Sequence, residues 1–407
     1  MSYVEQNDYV SSDLGLVKIS GDIGGIHWPD VTIKEIVIGE SLINPGLMTS
    51  VTVQSAPYSS NSNGYKNLMD LKGKQLNLNL SNRLGRSLSI SNMTVYRLDN
   101  RSMMPINLGK TEEFTFHTCH QSLLDDAQHV MSKSWKCVTP DQVVGAALDC
   151  VGSAGNRSIL SCSPSRDYIA EMIHPYQVIQ QQANVALDGD DPSFLHYMTH
   201  EGGGKHWFRS LKSMMTASDK QVYTFSSNEV GVLTQSDYNN PDNLNKVIVF
   251  EFPCFFDLLA DLLNGVGPNG QNLNVVTTWN PSNMAASLIG GSGNMMSDGC
   301  IPATNVKQSM TNKGSGQQDY GCPTDVESHL LLRQARMGLL ERDKIALRFT
   351  VPWAPDVHVG DRVQFNWFDP NRSLMPDSDS FVVSSLMHKI QFGGFSTTTF
   401  DCIRTRY

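Results

Sequence analysis

The chain has 407 residues, of which 40% are hydrophobic and only 17% charged, and its net charge is −9. That length exceeds what one core usually serves and predicts two or three domains. The acidic balance, with no compensating run of Lys or Arg, excludes nucleic acid as a main partner, and no apolar run approaches the ~20 residues that span a bilayer.

The opening "MSYVEQNDYVSSDLG" has neither a basic head nor an apolar core, so no targeting leader is expected and the protein should fold in a cytoplasm. Eight scattered cysteines without a C-x-x-C pair read as free thiols of a reducing compartment. A surface rich in Ser, Asn, Gln and Thr suits broad packing against other proteins, because desolvating charge at an interface core is costly.

Residues 1–115 read as β. The runs Thr32–Ser41, Leu47–Ser55, Gln75–Asn82 and Ser87–Tyr96 have period-two apolar spacing; in the third, Leu76, Leu78 and Leu80 point one way and Asn77 and Asn79 the other. Asn82–Arg86 links the last two as a hairpin, and several such strands in succession predict a barrel or sandwich.

The pattern then changes. After a strand at Glu112–Thr118, "SLLDDAQHVM" predicts a helix capped by Ser122. "TPDQVVGAALDCV" predicts a second, with Thr139 as cap, Pro140 in the first turn and Gln142 completing a capping box. A third is expected over Pro175–Leu187, ending in the acidic loop "DGDDP". Phe194–Thr199 and His206–Ser210 read as two strands joined by "HEGGGK", whose glycines accept positive φ.

Val247–Phe252 predicts a strand, and Phe255, Leu258, Leu259, Leu262 and Leu263 mark a helix stopped by Gly265. From Gly265 to Gly321 the chain is rich in Gly, Asn, Ser and Pro, so 250–324 reads as an insertion or extended arm. A helix of about four turns starting near Val326 runs into a strand; Val357–Trp367 reads as strand, Gly-Asp turn, strand. Two final β runs flank Gly393 and Gly394.

Chemistry is sparse. His196, His200, Glu201 and His206 lie close in sequence, but residues four apart on a strand are ~13 Å apart and the zincin order H-E-x-x-H is missing, so cross-strand packing outweighs a metal. "GKT" at Gly109–Thr111 has Met104 where a phosphate loop needs glycine. The three carboxylates of "DGDDP" lack EF-hand spacing. No catalytic, cofactor or metal residues are assigned.

Taken in order, the segments resemble the baseplate hub proteins of contractile-tailed bacteriophages, relatives of the late-control-D proteins and of the VgrG hub of type VI secretion. "SLLDDAQHVMSKSWK" (Ser122–Lys136) looks like that family's first helix, and "TPDQVVGAALDCV" like its second. "FLHYMTHEGGGKHWFRSLKSMM" looks like its F-x-Y-x-x-x-x-G-x-x-F-R-S-L hairpin, which makes Phe194, Tyr197, Gly202, Gly203, Gly204, Phe208 and Arg209 the motif residues. "VGDRVQF", with Gly360 and Asp361, matches a GD-x-V turn, and His388 sits in what resembles the closing hairpin.

The resemblance implies a β-rich α+β fold with two tail-tube-like β-barrels, a few packed helices and an irregular insertion. Residues 1–115 would form the first barrel, with 210–250 available to complete it, and 116–209 with 325–407 the second. It implies a non-enzymatic homotrimer in the tail baseplate of a virion, in which two like barrels per chain turn three-fold symmetry into six. Its partners would be the tail tube protein, the central spike protein and other baseplate proteins, with DNA passing through the lumen unbound. Two other readings are a tail-tip peptidoglycan hydrolase or peptidase using His200, Glu201 and His206, and a distal tail component of a non-contractile phage.

Overall fold

The computed structural model describes residues 17–55, 71–226, 244–253 and 345–404, apart from 24–25, 28–31, 83–84, 107–108, 154, 190 and 392–395, together with Arg333, Met337 and Leu340. The expected helix at 255–263, the arm at 265–321 and the Gly393-Gly394 turn lie outside these residues. Of the helix expected from Val326, Arg333 and Met337 are described as helical.

The chain is β-rich. Strands β1 (Val17–Ile23), β2 (Ile26–His27), β3 (Thr32–Ser41), β4 (Met48–Ser55), β5 (Gln75–Asn82), β6 (Ser87–Ile106) and β7 (Gly109–His120) come first. Their inward registers supply the first core: Ile36 and Ile38 from β3, Val51 and Val53 from β4, Leu76, Leu78 and Leu80 from β5, Phe114 and Phe116 from β7. The predicted alternation of β5 holds, with its leucines buried and Asn79 exposed.

Next come α1 (Gln121–Gln128), β8 (Met131–Val138), α2 (Pro140–Cys150), β9 (Arg157–Ile159), β10 (Arg166–Ile173), α3 (Pro175–Ala183), β11 (Phe194–Thr199), β12 (Lys205–Ser210) and α4 (Leu211–Met215). Helices α2 and α3 pack Val143, Val144, Leu148, Val178 and Ile179 against Phe194 and Phe208 in a separate core. The last strands are β13 (Gln221–Ser226), β14 (Val249–Glu251), β15 (Leu347–Pro352), β16 (Arg362–Phe368), β17 (Asp379–Gln391) and β18 (Thr397–Arg404).

These last strands close on themselves. β13 runs parallel to β16, and β16, β17, β18, β15 and β14 follow as antiparallel neighbours. The Val247 amide then donates to the Thr224 carbonyl at 2.9 Å, and the Ile248 amide to Thr350 at 2.8 Å, which returns the ring to β13. Inside it, Phe349 packs against Tyr223 and Phe400 with tilted rings, each with centroids 5.1 Å away. The segment 210–250, offered by the sequence to the first barrel, here places Leu211, Met214, Tyr223 and Val247 in this second core.

One strand serves both halves. β17 pairs with β16 at its start and with β3 at its end, so a single sheet runs β14, β15, β18, β17, β3, β4, β7, β6, β5, β1, β2. Phe381 and Leu386 of β17 enter the second core, and Ile390 enters the first.

Several local expectations are corrected. The first helix does not continue to Lys136: it stops at Gln128, and Met131–Val138 turns extended because it gains an antiparallel ladder with β10. Its cap is His120 and not Ser122, since the His120 side chain accepts from the Ser122 amide. Thr139 occupies the cap position of α2, and Pro140 its first turn, but Thr139 makes no side-chain cap bond, so the capping box is not formed. α3 ends at Ala183, short of Leu187, whose amide bonds back to Ser163. Val357–Val359 is a turn and not a strand; the His358 and Val359 amides donate to the side chains of Asp361 and Glu40, leaving no ladder to join.

Among the described residues no helix is long and apolar enough to cross a membrane, and Cys119, Cys137, Cys150, Cys162 and Cys402 carry free thiols. Phe349→Ala empties the centre of the closed ring and is expected to cost about 3–5 kcal/mol. Urea denaturation checks this; a loss typical of a surface position, ~0.5 kcal/mol, would mean that the ring has no tight core.

Candidate functional site

A cluster of buried titratable side chains lies where the three cores meet, and the hairpin β11–β12 places it there. Alternation along β11 sends Phe194 and Met198 to one face and Tyr197 to the other. Phe194 thus enters the helical core, Tyr197 the second core and Met198 the first. Past the end of β11, His200 starts a 3-10 turn over Glu201–Gly203.

At the seam Glu40, at the end of β3, is buried. Its Oε1 accepts from the His200 amide at 2.7 Å and lies 3.0 Å from His358 Nδ1, and its Oε2 accepts from the Val359 amide at 3.2 Å. One carboxylate therefore ties the first sheet to the hairpin tip and to the 358–361 turn. Burial pushes the Glu40 carboxyl up, but the His358 charge and hydrogen bond outweigh it and hold the carboxyl at about 2. Burial likewise opposes the His358 imidazolium, and Glu40 overcomes it and raises His358 above its ordinary value.

Around this pair stand imidazoles held neutral. His388 of β17 lies 2.8 Å through Nδ1 from the Thr398 hydroxyl, and burial lowers it to about 3. His200 and His120 are lowered by burial to about 4. The Nε2 atoms of His120, His200 and His388 are buried with no protein hydrogen-bond partner among the described residues. On the far side of His120 runs a polar chain: His196 Nε2 lies 3.1 Å from His206 Nδ1, and His206 Nε2 lies 2.9 Å from the Ser153 hydroxyl. Tyr176 donates to Ser122 at 2.9 Å, and its ring meets that of His196 edge-on.

The hairpin glycines make contacts that a side chain would block. Gly204 has φ 119°, and a Cβ there would lie 2.5 Å from His120 Nε2. Gly203 takes a hydrogen bond from Ser91 at 3.1 Å, and Asn156 donates to the carbonyls of Gly202 and Gly204 at 3.2 and 2.6 Å. In the GD-x-V turn Gly360 has φ 82°, and a Cβ would run into the Tyr197 hydroxyl. Asp361 accepts from the His358 amide at 2.9 Å and from Lys220 at 2.9 Å.

Of the motif residues, Tyr197, Gly203, Gly204, Gly360, Asp361 and His388 meet at this seam, whereas Phe194 and Phe208 pack together in the helical core with centroids 4.9 Å apart. Arg209 is half-buried on the Tyr197 face of the hairpin, 5.5 Å from the Trp207 ring.

The trio His200, Glu201 and His206 does not converge. His200 turns to Glu40, Glu201 is exposed and paired with Lys205 at 3.2 Å, and His206 faces His196 because Met198, not His200, is its cross-strand partner. No group of three His, Cys, Asp or Glu side chains among the described residues is arranged to hold a metal ion. Sequence reading missed Glu40, His358, His120 and Ser153. A signal existed for Glu40: counting by two from Ile36 and Ile38 puts this carboxylate in the inward register of an apolar strand.

No protein-family model and no curated relative matches the sequence. The fold is shared with phage tail proteins. It is similar to that of the 43 kDa tail protein of prophage MuSo2 from Shewanella oneidensis, with a TM-score of 0.54 at 12% identity over 95% of this chain and 98% of that one. It is similar also to that of a tail protein from Neisseria meningitidis MC58, with a TM-score of 0.52 at 9% identity over 96% of each chain.

Replacing Glu40 by Ala leaves His358 and two amides buried without their acceptor and is expected to cost about 3–5 kcal/mol. The double change Glu40→Ala, His358→Leu should recover part of that loss in urea denaturation; strict additivity of the two single changes would mean the pair is not coupled.

Proposed function

We propose that the chain is a structural protein of a phage tail, a baseplate hub without catalytic activity. The observation that carries this reading is the pairing of two strand-built cores on one continuous sheet. It is supported by the likeness of that fold to two tail proteins, one of them from a prophage, along nearly their whole length. The polar seam agrees with it: its side chains hold sheet, hairpin and turn together.

In the finer reading the chain is a homotrimer. Each subunit contributes one unit around the first core and one around the second, so that three chains present six similar units about an axis, because a closed ring reuses one contact. One face would then meet the six-fold tail tube protein, the other a three-fold central spike protein, with further baseplate proteins outside. DNA would pass through the lumen without specific binding, past a chain of net charge −9. The helical module and the 250–324 segment would lie to the side of this ring. The site of action is the virion tail, after assembly in the host cytoplasm.

Mass photometry and negative-stain electron microscopy of the purified full chain test the ring. Three-fold particles with a central pore are expected at micromolar concentration, while a strict monomer or a ring of another order would sink the reading. A cell-wall zymogram tests the rival hydrolase. No clearing is expected from the wild-type chain; clearing that disappears in His206→Ala would favour the enzyme.

A further inference from the structure

The two strand-built units repeat one strand order. Neighbours run β1, β5, β6, β7, β4, β3 around the first core and β13, β16, β17, β18, β15, β14 around the second. The first pair differs in sense, β1–β5 being antiparallel and β13–β16 parallel; the four pairs that follow are antiparallel in both units.

Ladder register fixes the matching positions to the residue. β6 pairs with β5 as far as Thr94 and shifts register against β7 between Val95 and Arg97. β17 pairs with β16 as far as Val382 and shifts register against β18 between Val383 and Ser385. Just beyond each shift a row of apolar residues crosses four strands: Leu98, Phe116, Val51 and Ile36 in the first unit, Leu386, Phe400, Phe349 and Phe250 in the second. Both rows pack into their own cores. β14 therefore stands in its unit where β3 stands in the other.

The units differ in what lies alongside those rows. Past its shift β17 continues through Ser385–Gln391 beside β3, and this pairing joins the two units. The matching stretch of β6 and the matching edge of β14 have no ladder partner on that side among the described residues. β14 is instead an end of the sheet, with Val249 59% exposed. Unpaired N–H and C=O groups along a strand edge are a template for another strand. We propose, resting on the trimer reading, that β14 of one copy adds to the far part of β6 in the next copy, and so repeats between chains the joint that β17 and β3 make within one.

The partner is a second copy because, within one chain, β14 and β6 stand seven strand spacings apart along the sheet, ~34 Å. A head-to-tail contact of this kind uses two different edges and propagates until it closes; six equivalent joints, three within chains and three between them, close at three copies. The joint within the chain also sets the register. Lys389 pairs with Val37 and stands opposite Thr397, four ladder steps past the shift on β18. Ser102, opposite Glu113, stands four steps past the shift on β7. Glu251 follows Phe250 as Val37 follows Ile36. The copied register thus sets Glu251 of one copy against Ser102 of the next and Val249 against Met104, with the strands antiparallel.

Cysteine pairs in the full chain test the joint. Cβ atoms of opposed residues in a sheet lie ~4.5–5.5 Å apart, close enough for a disulfide. Met104→Cys with Val249→Cys should therefore give covalent dimers and trimers on mild oxidation, read by denaturing electrophoresis. Asp99→Cys with Val249→Cys, displaced along β6 by ~16 Å, should give at least ~10-fold less. So should the wild type, whose own Cys137 and Cys150 are exposed. If the first variant does not fold, hydrogen–deuterium exchange of the wild type reads the same contact: amides of 249–251 and 102–104 are expected to exchange at least ~10-fold more slowly in trimers than in monomers obtained by dilution. Three-fold particles that neither cross-link at this pair nor protect these amides would overturn the joint and leave the hub standing. Strict monomers, or a ring of another order, would overturn both.

Discussion

The arrangement of this molecule depends on one buried carboxylate. Glu40 ends a strand of the first core yet accepts hydrogen bonds from the hairpin tip and from the 358–361 turn of the second. A carboxylate so removed from water is tolerated only when every lone pair facing protein is engaged and an opposite charge stands close, and His358 supplies that charge. Such a group has one satisfactory position. It therefore fixes how the sheet, the hairpin and the turn sit against one another more sharply than apolar contact alone, which tolerates sliding.

The second constraint is covalent economy in β11 and β17. β11 spans six residues, and its two faces and end reach three different cores. β17 is long enough to close the second ring and then extend the first sheet, with a register shift between Val383 and Ser385 where it changes task. The hairpin is anchored a second time at its start, where Arg333, from the stretch before β15, donates to the carbonyls of Pro192 and Phe194. A hub proposed to join assemblies of different symmetry needs such a body, since motion between its halves would blur both faces.

Histidines close together in sequence invite a catalytic interpretation, and burial explains why packing prevails here. His206 and Ser153 have the spacing of a base and a nucleophile, but Ser153 is buried and the imidazole is lowered to about 2 by burial and by its histidine neighbours. Burial and the neighbouring imidazoles thus disfavour the charge that His206 would carry after taking up a proton.

Much of the fold was legible in the sequence. Period two marked the strands of the first sheet, Gly and polar clusters marked the hairpins, and Pro140 and Pro175 marked two helix starts, because these signals arise from backbone sterics and local alternation. The glycines of the hairpin and of the GD-x-V turn were visible as motif residues, though not the contacts that demand them. What only the tertiary structure decided is long-range pairing. Met131–Val138 became a strand because β10 lay beside it, Val357–Val359 a turn because Glu40 and Asp361 captured its amides, and Tyr223 entered the second core because β13 found β16. The seam itself joins Glu40 to His358 across 318 positions. A contact of that separation leaves no periodic trace along the chain, because the partner that satisfies a buried charge is chosen by how the cores stack and not by its neighbours in sequence.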